Sequence, residues 1–137
     1  MSRLALAALV VLGACELPPK RNLPSEAFRA HHAVVSAHFP DMPALADIHF
    51  VQVPRDRLAH HCGEGADACA LIRPAQAPRV VLALCSEHSP NDPDGTVLHE
   101  LLHVATGETG HPAWFHEDLN TLFEAFRSEH PGPVRCP

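Results

Sequence analysis

His99-Glu100-Leu101-Leu102-His103 lies inside the largely apolar stretch Thr96 to Thr106, around which the rest of the chain is organised. On an α-helix two residues at i and i+4 differ by only about 40° of rotation, so both imidazoles leave one face. Val97, Leu98, Leu101, Leu102, Val104 and Ala105 supply a broad apolar surface around them, which predicts a helix over about 95–106 buried in a small domain. Upstream, Asn91-Asp92-Pro93-Asp94-Gly95 is rich in turn and capping residues, and Gly107 downstream suits a left-handed C-terminal cap. A buried helix that carries two histidines and a glutamate needs something to satisfy those polar groups. A divalent cation does so: two neutral ring nitrogens bind it, and Glu100 stays outside the ligand set, within reach of a water on the ion.

The spacing H-E-x-x-H is the one zinc metallopeptidases use, so Zn2+ is the expected cofactor, His99 and His103 its ligands and Glu100 the catalytic base. With 12 His and 9 Glu in 137 residues, residue frequencies give about 0.07 accidental matches over the chain. The third ligand is open between two candidates. His111 follows His103 after Gly107-Glu108-Thr109-Gly110, where two glycines allow the chain to turn back. Glu117 lies on the next predicted helix, and His116 and Asp118 are lesser possibilities. A carboxylate there that is not a ligand, Glu117 or Asp118, could instead orient a histidine through its distal N–H.

The amino terminus bears on location. Met1-Ser2-Arg3 is a short positive segment, and Leu4 to Leu12 is an apolar run of signal-peptide length. Leu12-Gly13-Ala14-Cys15 then resembles a bacterial lipobox. This resemblance implies a signal peptide over 1–14, lipid on Cys15, a tether over 15–24 and a domain over 25–137. It also implies anchorage to the cell envelope; Glu16 favours the periplasmic side of the outer membrane. Export fits the remaining cysteines, since Cys62, Cys69, Cys85 and Cys136 form an even set and their spacings match no zinc knuckle. Of three possible pairings, Cys62–Cys69 and Cys85–Cys136 are favoured. The formal charge of −6 becomes about −7 without Arg3, which argues against a nucleic-acid partner. One domain, expected as a monomer, accounts for the rest.

Hydrophobic spacing predicts a helix over 24–39 with Ser25 as cap, and a strand over 48–53 that stops at Pro54. A short turn or helix and a Cys/Gly-rich loop fill 55–67. Strands over 68–72 and 79–84 form a hairpin through 73–78. After the histidine helix, a last helix over 112–128 turns Trp114, Phe115, Leu119, Leu122, Phe123 and Phe126 to the core. The fold class is therefore α+β: N-terminal helix, small three-stranded sheet, the H-E-x-x-H helix and a C-terminal helix.

Gly110-His111-Pro112-Ala113-Trp114-Phe115, eight residues past His103, resembles the segment that follows the motif in SprT-like minimal zincins. There a third histidine is often preceded by glycine and followed by an aromatic four residues on; Pro112 departs from the glycine common in that family. Only 97–123 carries specific matches. Pro112 to Asn120 also resembles the gluzincin helix whose glutamate is the third ligand, with Asp118 and Asn120 departing from its pattern. These resemblances imply a minimal zincin domain and a peptidase acting on protein or peptide substrates through a zinc-bound water and Glu100. The chain has no tyrosine, so the phenolic oxyanion donor of some zincins is missing and His116, His88 or a backbone N–H must serve. A substrate strand is expected to add to an open sheet edge, assigned to 79–84. The alternative is a non-catalytic, zinc-stabilised envelope binding or assembly lipoprotein. The other histidines, His31, His32, His38, His49, His60, His61 and His130, read as surface or loop residues.

Overall fold

A computed structural model describes residues 20–83 and 93–132. Its elements run β1 (Arg21–Leu23), a 3₁₀ turn (Ser25–Phe28), α1 (Arg29–His38), β2 (His49–Val53), α2 (Arg55–Cys62), β3 (Ala68–Leu71), β4 (Arg79–Ala83), α3 (Pro93–Thr106) and α4 (Ala113–Glu129). The expected α+β class holds, with one more strand than the hydrophobic pattern indicated.

That extra strand is β1, inside the segment read as tether. It pairs antiparallel with β2, Asn22 opposite Val51. Gln52 is buried on β2, and the guanidinium of Arg21 donates to its Oε1 at 2.7 Å. The strand thus satisfies a polar group that burial would otherwise leave costly.

The sheet order is β1-β2-β4-β3. β2 and β4 run parallel in register from His49 beside Arg79 to Val53 beside Ala83. β3 and β4 form the expected hairpin, with Ala70 opposite Val80. The assignment of 79–84 to an open edge is therefore corrected: β4 is interior, and the edges are β1 and β3. Its buried Val80, Val81 and Leu82 give the reason, since consecutive apolar residues fit a strand covered on both faces.

Alternation along the strands divides the core in two. Phe50, Val80 and Leu82 join Phe28, Val35, Leu98, Leu101, Leu102, Phe115, Leu122 and Phe126 in the larger cluster, under α1, α3 and α4. Val51, Val53 and Val81 face the other way and pack on Leu58 of α2. Ser25 does not cap the first helix; its hydroxyl donates to the Ile48 carbonyl at 3.1 Å, tying the turn to β2.

The pairing Cys62–Cys69 is present, with Cα atoms 5.4 Å apart, and closes the loop between α2 and β3. Cys15, Cys85 and Cys136, like the signal segment 1–14, lie outside the described residues. Among the described residues no helix is long and apolar enough to cross a membrane.

Candidate metal centre

α3 presents His99 and His103 one turn apart, on the margin of the surface that buries Leu98, Leu101 and Leu102. The segment after it is built to return a third imidazole. Gly107 ends the helix at φ 69°, and its N–H bonds the His103 carbonyl at 2.9 Å. A side chain at that position would be strained, which is why glycine stands there. Gly110 does not adopt the left-handed conformation, so only one of the two glycines makes the turn by that means. Instead, Glu108 folds its carboxylate back to accept the Thr109 and Gly110 N–H groups at 3.0 and 2.9 Å.

His111 thereby reaches the pair on α3. Its Nε2 lies 2.9 Å from that of His99 and 3.1 Å from that of His103, and the His99 and His103 Nε2 atoms are 3.1 Å apart. Among the described residues these three form the one cluster that could hold a metal ion. Tetrahedral zinc with Zn–N bonds of about 2.0–2.1 Å needs ligand nitrogens about 3.3 Å apart. The triangle fits after an outward movement of a few tenths of an ångström.

The protonation pattern suits a cation. The Nδ1–H of His103 donates to the Glu108 carbonyl at 2.6 Å, which leaves the Nε2 lone pair for the cluster. A backbone carbonyl, not Glu117 or Asp118, orients that ring. Burial lowers His99 to about 4, helped by the neighbouring His103, His111 and His116. Burial also lowers His103, against the opposing pull of the Glu108 carbonyl. Neutral imidazoles crowded nitrogen to nitrogen are the state a divalent ion stabilises.

Glu100 is 5% exposed. Desolvation pushes its carboxyl up to about 7, and a hydrogen bond from the Ala70 backbone on β3 opposes part of that rise. The base candidate therefore sits where α3 packs against the edge strand.

Phe115, fully buried, touches all three imidazoles, with ring centroids 5.2 Å from His99, 4.4 Å from His103 and 5.1 Å from His111. It is the aromatic four residues past His111, and it forms an apolar floor beneath the cluster. Its i+4 spacing from His111 marks this place in the sequence, beside the core role expected of it. Trp114 is corrected: at 42% exposed it points away from the core, because the face that buries Phe115, Leu122 and Phe126 excludes its neighbour. His116 is exposed, with its ring 5.9 Å from that of His111. Glu117 and Asp118 lie outside the histidine cluster, Glu117 exposed on α4.

Among the other histidines, His31 departs from the surface reading. It is half-buried, bonds Asp94 of α3 at 2.8 Å and stacks on Phe126 at 4.4 Å. His32 bonds the Pro43 carbonyl at 2.9 Å and His38 the Val34 carbonyl at 3.0 Å. His49, His60, His61 and His130 are exposed, and His88 lies outside the described residues. Against known protein families, curated proteins and solved structures the chain has no match.

Proposed function

We propose that the chain is a lipid-anchored zinc metallopeptidase that cleaves envelope or other extracytoplasmic proteins. The observation that carries this reading is the convergence of His99, His103 and His111 beside a buried glutamate on the same helix. Three imidazoles are a ligand set zinc commonly takes in catalytic sites, where a fourth position stays open. A zinc ion held by His99, His103 and His111 would supply Lewis acidity toward a scissile carbonyl and acidify an adjacent water.

The chain's own groups do the rest. Glu100, buried on the same helix, can take a proton from the attacking water and pass it to the leaving amine. A site of purely structural purpose has no use for a carboxyl in that place. His116 is the exposed imidazole nearest the cluster and can donate to the developing oxyanion, the role left open by the absence of tyrosine. A substrate segment can add to the edge strand β3, next to Glu100, with its main chain held by strand hydrogen bonds. The Leu4–Cys15 pattern supports export and anchoring.

The test is cleavage of denatured casein by wild type, Glu100→Gln and chelated protein, with metal analysis of each. Cleavage by wild type alone, with zinc retained in Glu100→Gln, supports the reading. No difference in cleavage among the three, with stoichiometric zinc in wild type, would leave a zinc-stabilised binding module; no stoichiometric metal in wild type would defeat both.

A further inference from the structure

A second site lies away from the histidines. A cleft of about 470 Å³ opens beside β1, where β2 and β4 begin. Lys20, His49 and Arg79 line it together with Asn22 and Ser25, and no carboxylate does. On a chain of formal charge −6 this is a local reversal of sign. The pairing of β2 with β4 fixes His49 and Arg79 side by side at one end of the cleft; on β1, Asn22 stands opposite Val51, and Lys20, one step before Arg21, lines the other end. An arginine fork, an ammonium and an amide N–H₂ spaced along one hollow are donors that recognise phosphate oxygens. No lining residue belongs to α3, α4 or β3, the elements that carry the proposed catalytic groups, and β1 and β3 are opposite edges of the sheet.

Position identifies the source of the phosphate. Because β1 is part of the sheet, the linker from Cys15 to the folded domain is only the five steps to Lys20, at most about 18 Å when fully extended. A domain held that close meets the bilayer with its β1 side. We propose that this cleft is a membrane-docking site that takes the phosphate of anionic phospholipid headgroups, which sets the domain with its β3 edge and histidine cluster turned from the anchor. The inference rests on lipidation of Cys15, part of the reading above, but not on zinc or catalysis.

Lys20 is the only lysine in the chain, so amine-specific acetylation read by mass spectrometry reports on the cleft directly. The full chain, purified with its lipid, is placed in vesicles of phosphatidylcholine alone or with one third phosphatidylglycerol. Lys20 should be acetylated several-fold more slowly in the anionic vesicles. Arg79→Ala should remove most of that protection, since each basic group near an anionic surface is worth about fivefold, whereas Arg73→Ala, in the exposed β3–β4 loop, should leave it intact. Equal rates in both vesicles, or equal protection in Arg79→Ala, would overturn the proposal. So would protection in detergent by micromolar inorganic phosphate, which would make the ligand a soluble phosphate. An unmodified Cys15 in the same spectra would show the lipoprotein reading to be wrong. Lys20 protection by anionic vesicles would then still establish the cleft's ligand, and its absence would end both ideas.

Discussion

Replacing Glu100 by glutamine should stabilise the metal-free protein at alkaline pH while it removes the proposed base. The carboxyl is 5% exposed and burial pushes it up to about 7 from an ordinary 4.5. A carboxyl raised on folding contributes stability that is fully present below about pH 4.5 and lost as pH rises through about 7. Each tenfold step in proton affinity is about 1.4 kcal/mol, so the ionised form carries a cost of about 3 kcal/mol. Glutamine keeps the shape and an oxygen for the Ala70 N–H, and it never ionises. Chelated wild type and Glu100→Gln should thus unfold alike in urea at pH 4.5, followed by far-ultraviolet circular dichroism. At pH 8.5 the variant should be more stable by about 3 kcal/mol. His99 follows the opposite course: its lowered value gives stability present above pH 6.5 and lost as pH falls through about 4. That contribution is common to both proteins and cancels in the comparison. Zinc should narrow the gap at pH 8.5, because a cation beside the carboxylate offsets its desolvation. A difference that does not change with pH, or a variant less stable than wild type at pH 8.5, would refute the claim that Glu100 is held charged at a cost.

His111→Ala should lose stoichiometric metal while Glu117→Ala keeps it, read by elemental analysis after gel filtration, because only His111 lies with His99 and His103. Metal should be retained at pH 6 and released on approach to pH 4, since burial keeps His99 and His103 unprotonated through the upper part of that range; release already complete at pH 6 would count against the site. Phe115→Ala should cost about 3–5 kcal/mol in urea unfolding, as a fully buried aromatic does, and weaken zinc retention as well by removing the floor under the rings. His116→Ala should lower kcat by about 10²–10³ with zinc content unchanged, the size of a lost oxyanion donor.

What could be read from the chain alone follows from how local each signal is. His99, Glu100 and His103 are fixed by one helical turn, and Leu98, Leu101 and Leu102 by the same periodicity, so this part of the site needed no tertiary knowledge. His111 was legible as one of two candidates; its selection depends on the Glu108 loop, whose internal hydrogen bonds have no periodic signature. β1 was illegible for a plain reason. Arg21-Asn22-Leu23 has no alternation and sits between prolines; it is a strand through its pairing with β2, where Arg21 also bonds Gln52, 31 residues away. The same holds for His31, whose bond to Asp94 spans 63 residues. β4 is a different case, because its signal was present: an apolar run with no alternation belongs inside a sheet, and that rule places β3 at the edge beside Glu100. Edge placement of β3 and burial of Glu100 are then one fact. A strand whose outer N–H groups face no partner strand among the described residues leaves the Ala70 donor for the Glu100 carboxyl, and the packing of α3 that permits this bond is what dries the carboxyl and raises it toward neutrality.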